Sequence, residues 1–381
     1  MFGRMMNNYY YGKSGKGDFR KDDLPATRMQ LFRDTLRTRL SGLCRLNLLY
    51  MLVWLPAMIV LLLNVSNLWN RLQTEAAISA YDYSEYAEML QQNEMEMSIS
   101  EEEYNALRES LLERDRILND LDYEAYLDRA GADSESVLTA EQFQAVRTSS
   151  STELQTGLLR MLLILFPCIA ITGPFTAGFS YVTRNWARDE HAFIWTDFRD
   201  AVKANWKIPL LLSTVTGALP PLIYQGWMTY GNMSARNTIM AIPQVLVVMV
   251  GVIWALSITY MYPLTVTYDL KARGVLRNGL LLAIARLPFS VGIRLLHCVP
   301  VLIAAAAVWF FGLQPLLALL LVCGYYMILG FGLSRFVTAS YTNAVFDRFI
   351  NTRIEGAKVN QGLREKEDED EDEETEEETE E

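Results

Sequence analysis

The stretch MLLILFPCIAITGPFTAGFSYVT, residues 161–183, contains no charged side chain, and the charged run RNWARDEH, residues 184–191, follows it at once. Its length exceeds the roughly 20 residues that a helix needs to cross about 30 Å of hydrocarbon. Similar charge-free windows lie at residues 46–64, 208–235, 237–268, 295–312 and 313–334. Soluble domains with buried core helices very rarely supply six such windows. The sequence therefore predicts an all-α polytopic membrane protein with about six transmembrane helices.

Lysine and arginine are concentrated on one side of the predicted bundle. Residues 1–45, the loop 183–207 and the loop 269–294 carry ten, five and five of them. By the positive-inside rule these segments face the cytoplasm. We therefore expect a multi-pass protein of the cell membrane with cytoplasmic N- and C-termini. The basic surface suits a bilayer with anionic headgroups as a partner, and the sequence gives no comparable reason to expect nucleic acid.

The chain divides into five segments by composition. They are a cytoplasmic N-terminal segment with an amphipathic helix (1–45), the first transmembrane helix (46–64), an acidic extracytoplasmic helical insertion (65–153), transmembrane helices two to six with their loops (154–345), and a cytoplasmic acidic tail (346–381). The insertion contains 20 acids against six bases, which agrees with an outer location. Fourteen acids in residues 365–381 predict that the tail is disordered.

The insertion contains two signals for the start of a helix. Ser100 with Glu103, and Thr139 with Gln142, each form the pattern of a capping box. After the first of these, apolar residues predict one buried stripe and a helix that ends near Gly131; the stripe consists of Tyr104, Leu107, Leu111, Leu118 and Leu121. The insertion is therefore predicted to form a small helical cap.

Two similar stretches precede predicted membrane helices, LFRDTLRTRL at residues 31–40 and DFRDAVKANW at residues 197–206. Both place apolar residues at helical spacing beside bases, which is typical of basic amphipathic helices in the membrane interface. A third, less clear example has Leu276, Leu280 and Ile284 on one face. The pattern suggests three repeats of an interfacial helix and a helical hairpin. The alternative is that any helix start at the inner leaflet favours aromatic and basic residues.

The charged run after the opening stretch invites a catalytic interpretation, which its spacing does not favour. Asp189, Glu190 and His191 are adjacent, so they cannot share one face of a helix. The chain contains no H-E-x-x-H or C-x-x-C pattern and no cofactor-binding motif. We therefore expect no enzyme activity, no bound cofactor and no metal ion.

An architectural role for the same run is the favoured interpretation. Gly173, Pro174 and Gly178 are expected to break or thin the inner end of the second membrane helix. Residues 184–191 then turn the chain in the interface and lead into the next amphipathic helix. The candidate elbow, which is also a candidate partner-docking site, consists of Gly173, Pro174, Arg184, Arg188, Asp189, Glu190, His191, Phe198, Arg199 and Asp200.

The membrane windows contain no Asp, Glu, Lys or Arg, and His297 is their only histidine. Because ion-coupled transporters usually keep an ionisable residue at membrane depth, this composition argues against them. Prolines within the windows leave open a channel or carrier for a neutral solute. The loop 269–288 lacks the Glu-Ala-Ala start of the ATPase-docking loop of binding-protein-dependent permeases, which disfavours that class. A membrane sensor with an outer helical cap is a further alternative.

The stretch GPFTAGFSYVTRNWARDEH, residues 173–191, followed by FRDAVKANWK, residues 198–207, resembles the signature region of the YesL-like family of bacterial membrane proteins. The N-terminal MFGRMMNNYYYGKSGKGDF is similar to the start of its longer members. The resemblance implies a non-enzymatic accessory or regulatory role beside a carbohydrate transport system, with ABC transporter subunits as partners. It implies no reaction and no binding residue, and this chain differs by its outer insertion and acidic tail.

Overall fold

The computed structural model describes residues 24–119, 123–124, 127, 139–234 and 237–364, and the regular elements among them are helices. They are α1 (Arg28–Ala80), α2 (Tyr83–Gln92), α3 (Glu101–Asn119), α4 (Ala140–Ala187), α5 (Thr196–Ala204), α6 (Lys207–Ser234), α7 (Ala241–Thr267), α8 (Ala272–Ala285), α9 (Leu287–Phe311), α10 (Pro315–Tyr325) and α11 (Phe331–Phe349). A π-helical segment, Tyr326–Gly330, joins α10 to α11. The predicted disorder of residues 365–381 lies outside the described part of the chain.

Within the described residues, six helical segments are long and apolar enough to cross a membrane. They are α1, the part of α4 from Gln155, α6, α7 with the short turn before it, α9, and the continuous segment from α10 through α11. The prediction of an all-α polytopic membrane protein is therefore confirmed. The short helices α5 and α8 precede the third and fifth spans, as the repeat pattern predicts.

The N-terminal amphipathic segment is not a separate helix. Thr27 and Gln30 form a capping box, and α1 then continues for 53 residues through Pro56. At 1.5 Å per residue this helix is about 80 Å long, so it extends well beyond the hydrocarbon layer. The boundaries expected near residues 45 and 64 are therefore not breaks in the helix, and the insertion 65–153 begins as a continuation of the first span.

The helices α5 and α8 turn their apolar faces toward the protein. Phe198 of α5 is only 5% exposed. In α8, Val275, Gly279 and Leu282 are buried, whereas Leu280 and Ile284 are exposed. Leu280 and Ile284, which were predicted to lie in the membrane interface, thus face away from the protein, and a neighbouring face of α8 packs against it. The reason lies in Gly279, because a Cβ there would lie 2.6 Å from Cγ of Met261, and glycine allows α8 to approach α7 closely.

The buried core lies toward one end of the bundle, which we call the basic end because it carries the loops 188–206 and 268–286. One cluster joins α6, α7, α8 and α11 around Tyr260 and Phe346. A second joins α1, α4, α5 and α11 around Tyr50 and Phe179. At the other end, Trp309 of α9 is 84% exposed. The bundle is thus tightly packed at its basic end and presents apolar side chains to lipid toward the other.

The described part of the insertion 65–153 forms a helical cap on the end of α1. Ile78, Tyr86, Tyr104 and Leu111 form its buried cluster, which holds α2 and α3 together. Both predicted capping boxes are present, at the starts of α3 and α4. Leu107, in contrast, is 41% exposed, so its place in the predicted stripe was wrong. The side chains of Leu118 and Leu121 and the predicted stop at Gly131 lie outside the described residues.

Candidate functional site

The elbow, which we define as residues Arg184–Asp200, turns the chain between α4 and α5. The helix α4 ends at Ala187, and Asp189 adopts a φ of 56° in the left-handed region. The backbone N–H of Glu190 donates to the Asn185 carbonyl oxygen at 2.8 Å. Aspartate is one of the few non-glycine residues that readily adopt this conformation. Asp189 therefore serves the turn through its backbone.

The charged side chains of the elbow make several contacts within the protein, although Nε of Arg184 and Nε of Arg188 are buried without a hydrogen-bond partner among the described residues. Nε of Arg188 lies 3.3 Å from Oε1 of Glu190, and its Nη2 donates to Oε1 of Gln361 at 2.7 Å. Nη1 of Arg184 donates to Oδ1 of Asn185 at 3.2 Å. The density of charge in this run therefore reflects local pairing of arginine with acidic and amide groups.

Residues 355–364, which we call the C-terminal strap, cover one side of the elbow. The backbone N–H of Arg364 donates to the Pro25 carbonyl oxygen at 3.1 Å. A Cβ on Gly362 would lie 3.1 Å from the Arg188 carbonyl oxygen. The sequence had placed the whole of residues 346–381 in a disordered tail. That prediction was wrong for residues 346–364, which pack against the bundle.

A hydrogen-bond network explains the order of this segment. Oδ2 of Asp347 lies 2.7 Å from Nη2 of Arg28 and accepts from the backbone N–H of Asn360 at 3.2 Å. Oδ1 of Asp347 accepts from the side chain of Asn351, which accepts from the hydroxyl of Tyr268 at 2.6 Å. Burial, together with the nearby Asp347, raises the pKa of Tyr268 to about 12. Tyr268 therefore stays protonated at neutral pH and continues to donate.

The glycines and the proline of the opening stretch do not break α4. Pro174 has no backbone N–H for the carbonyl oxygen of Ala170, and Oγ of Ser213 on α6 donates to that oxygen instead. A Cβ on Gly173 would collide with the Pro209 carbonyl oxygen and with Oγ of Ser213. The predicted break was therefore wrong. Here the sequence encodes a close contact between α4 and α6, as Gly178 does between α4 and α5.

The exposed side of the elbow combines charge with aromatic surface. The ring of His191 lies 4.5 Å from that of Phe193, centroid to centroid. Nε of Arg199 lies 3.3 Å from Oδ1 of Asp200, and both side chains are exposed. The large exposed side chains nearby are Phe193, Trp195 and Trp206. Of the predicted site residues, the structure brings Asp189, His191, Arg199 and Asp200 to this surface and buries Gly173 and Phe198. The remaining ones are partly buried, namely Pro174, Arg184, Arg188 and Glu190.

A second site was not predicted from the sequence. A cavity of about 240 Å³, which we call the polar cavity, lies among α1, α4, α6, α7, α9 and α11. Arg294, His297 and Arg335 line it, together with hydroxyl groups such as those of Ser213 and Thr259. Its lining contains no Asp or Glu. All three basic residues lie on helices that are candidate spans, so the ionisable groups of these helices are not limited to His297.

Each of the two cavity arginines lies one residue outside a charge-free window of the sequence. Arg294 directly precedes the window 295–312, and Arg335 directly follows the window 313–334. In the structure α9 begins at Leu287, so Arg294 lies about 10 Å along the helix axis from that end. A search for charge-free windows therefore leaves out the arginines at which the windows end, even though these arginines lie on the same helices. The signal that could have found them is a lone arginine at the edge of an otherwise uncharged helix.

Several polar groups of the cavity have no partner among the described residues. Nε of Arg294, Oγ1 of Thr259 and Nε1 of Trp54 are all buried and make no hydrogen bond. Nε2 of His297 donates to the Ser334 carbonyl oxygen at 3.1 Å. The guanidinium of Arg335 lies 5.5 Å from the centre of the Tyr262 ring. The cavity is thus rich in donors and poor in negative charge.

The π-helical segment forms part of the wall of the polar cavity, to which it contributes Tyr326. Nδ2 of Asn47 donates to the carbonyl oxygens of Tyr326 and Met327 at 2.9 and 2.7 Å. Oδ1 of Asn47 accepts from the backbone N–H of Gly332 at 2.8 Å. Since Asn47 is fully buried, this one side chain holds the irregular backbone in place.

Comparisons with known proteins give one match. The model of a protein family of unknown function, DUF624, matches residues 156–226, which include the elbow, the helix α5 and parts of α4 and α6. The match is consistent with the resemblance stated above. Neither a curated protein nor a solved structure matches the chain. In the part of the chain that the structure describes, no group of three or more His, Cys, Asp or Glu could hold a metal ion.

Proposed function

We propose that the protein is a non-enzymatic accessory component of the bacterial cell membrane that docks a cytoplasmic partner through its elbow. The observation that carries this proposal is that the family match is centred on the elbow, whose exposed face combines charged and aromatic side chains. The partners that we propose are subunits of a carbohydrate ABC transporter. The resemblance to the YesL-like family supports that partner class.

The elbow is well suited to docking because it is held rigidly. The indole N–H of Trp186 donates to the Ala192 carbonyl oxygen at 3.3 Å, and the N–H of Phe193 donates to Oδ2 of Asp197 at 2.8 Å. The pairing of Arg188 with Gln361 fixes the C-terminal strap behind the turn. A surface that is ordered before binding loses little conformational entropy when a partner docks.

Crosslinking in the native membrane, followed by purification in mild detergent, tests this proposal. The double substitution Arg199→Glu with Asp200→Arg reverses two exposed charges on the elbow and should reduce recovery of transporter subunits. Arg273→Glu on α8 is the matched control, because Arg273 is an exposed base on another basic-end helix. Wild-type protein that recovers no transporter subunit would overturn the proposal, as would equal recovery with the charge-reversed variant.

The structure gives different support to the two alternative functions, a channel for a neutral solute and a membrane sensor. A channel for a neutral solute has less support, because Arg294 and Arg335 line the cavity between the spans. Uptake of sugars into liposomes that contain the protein, measured against protein-free liposomes, tests it directly. A sensor retains support from the outer cap, whose cluster around Tyr104 gives it a core of its own. For that function we expect a ligand to slow proteolysis of α2 and α3 in the full chain.

A further inference from the structure

We propose that the polar cavity binds the phosphate or carboxylate group of an anionic lipid, with the guanidinium groups of Arg294 and Arg335 as its positive partners. This site is separate from the elbow and does not depend on the docking function. Four features of the cavity support an anionic lipid as its ligand: its charge, its unsatisfied donors, its size and an apolar groove beside it.

The charge balance calls for an anion. Arg294 and Arg335 both lie within candidate membrane spans and line the same cavity, which has no carboxylate in its wall. Neither makes an ion pair with any carboxylate in the described ranges. Uncompensated charges at membrane depth are costly and usually mark a functional site. A ligand that carries negative charge would supply the compensation that the protein does not.

The hydrogen-bonding groups agree with an oxyanion. Nε of Arg294 and Nε1 of Trp54 are buried donors without a partner in the described chain, and the hydroxyl of Thr259 can donate as well. Nε2 of His297 donates to the Ser334 carbonyl oxygen, so this nitrogen already has a partner in the protein. Arginine presents several N–H groups in a planar fork that matches the oxygens of phosphate and carboxylate groups.

The volume of the cavity limits what it can enclose. At about 240 Å³ it lies below the roughly 300–1,000 Å³ typical of sites for drug-sized ligands. A single phosphate or carboxylate group with its nearest atoms fits this space. A whole oligosaccharide does not, so the cavity is distinct from a sugar-binding site.

An apolar groove beside the cavity points to a lipid as the source of the anion. This groove has a volume of about 610 Å³, lies between α6 and α7, and is lined by Leu219, Ile223 and Val252 among others. Arg294 lines both the groove and the polar cavity. An acyl chain in the groove would therefore place an attached acidic group beside Arg294. Free inorganic phosphate is the other source of the same chemistry, and the experiment separates the two.

The test uses the full-length protein in nanodiscs made from zwitterionic phosphatidylcholine. Phosphatidic acid is titrated into one series and inorganic phosphate into another, and the thermal unfolding midpoint is recorded. We expect phosphatidic acid to raise the midpoint in a saturable manner, because a ligand that binds only the folded state stabilises it. Stabilisation by inorganic phosphate alone would support the anion site and overturn the lipid as its source.

The variants Arg294→Gln and Arg335→Gln should weaken binding of phosphatidic acid by about 30-fold or more, as removal of one partner of a buried charge pair does. Arg277→Gln is the matched control, because Arg277 lies exposed on α8 at the basic end and tests attraction to the surface alone. Equal affinities for wild type, Arg294→Gln and Arg335→Gln would overturn the proposal.

A third variant keeps both arginines, so it still tests lipid binding if Arg294→Gln and Arg335→Gln fail to fold. Thr259→Val removes a buried hydroxyl that has no partner in the described protein, so the ligand-free protein should be as stable as wild type or more stable. Its affinity for phosphatidic acid should fall about fivefold to tenfold, the effect of one lost hydrogen bond. Wild-type protein that neither phosphatidic acid nor phosphate stabilises would also overturn the proposal.

Discussion

The elbow contains three arginines and the polar cavity contains two, and the surroundings of these side chains differ. At the elbow, Arg188 lies 3.3 Å from Glu190, and Arg184 donates to a neighbouring asparagine. In the cavity, Arg294 and Arg335 come from different helices and no carboxylate accompanies them. Arg188 thus has a carboxylate in its own segment of the chain, whereas no carboxylate of the described residues pairs with Arg294 or Arg335. The sparse arginines are therefore the better guide to a binding site.

The comparison implies that substitutions in the wall of the cavity cost more than substitutions at the elbow, and Asn47→Leu should show the largest effect. It leaves the carbonyl oxygens of Tyr326 and Met327 and the N–H of Gly332 without their partner. At about 1–3 kcal/mol for each unsatisfied buried group, we expect a loss of about 3 kcal/mol or more in the free energy of unfolding.

Unfolding of the detergent-solubilised protein by sodium dodecyl sulfate measures this loss. Asn64→Leu on the same helix is the control, because Nδ2 of Asn64 only donates to the Val60 carbonyl oxygen one turn earlier. Similar losses for the two variants would contradict the role that we assign to Asn47.

The next largest effect concerns the helix that supports the elbow. Ser213→Ala removes the donor to the Ala170 carbonyl oxygen and should cost about 1–3 kcal/mol. Pro174→Ala restores a backbone N–H at the right position, so the same Ser213 substitution should cost much less in that background. A double-mutant cycle measured by the same unfolding assay should give a coupling of about 0.5–3 kcal/mol. Strictly additive effects would show that the proline and the serine act independently.

These two cases show what could be predicted from sequence. The six windows identify the spans because crossing hydrocarbon is a property of local composition. Asn47 and Ser213 stand in such windows without any signal, since their partners lie on other helices. In α8 the periodicity was visible, yet the buried register was fixed by contact with Met261 through Gly279. The elbow could be located from sequence, whereas the polar cavity depends on the distant pairing of helices.

A smaller effect is expected at the elbow from Arg188→Gln. The substitution removes the ion pair with Glu190 and the hydrogen bond to Gln361. Since the pair is only partly buried, we expect a loss of about 1 kcal/mol. Faster cleavage within the C-terminal strap by a protease would report its release. Arg199→Gln, on the exposed face, should change neither the free energy of unfolding nor the rate of cleavage in the C-terminal strap. A comparable effect of Arg199→Gln would mean that Arg188 does not hold the strap in place.

The smallest effect is expected for Asp189→Gly. Glycine adopts the left-handed conformation without strain, so the free energy of unfolding should change by less than about 0.5 kcal/mol. Asp189→Val places a β-branched residue at the same φ and should cost about 1–2 kcal/mol. If glycine were as damaging as valine, the carboxylate rather than the backbone would be what matters at this turn. The elbow would then depend on an individual polar side chain, as the cavity does.

The helix α4 also has a mechanical consequence. It runs unbroken from Ala140 to Ala187, about 72 Å at 1.5 Å per residue. Phe143 is buried near its N-terminal end, and Trp186 is buried at the elbow. A rotation or axial shift imposed on one end is therefore transmitted to the other as in a stiff rod. Its most compliant point is Pro167, because the hydrogen bond lost at Pro174 is replaced from α6.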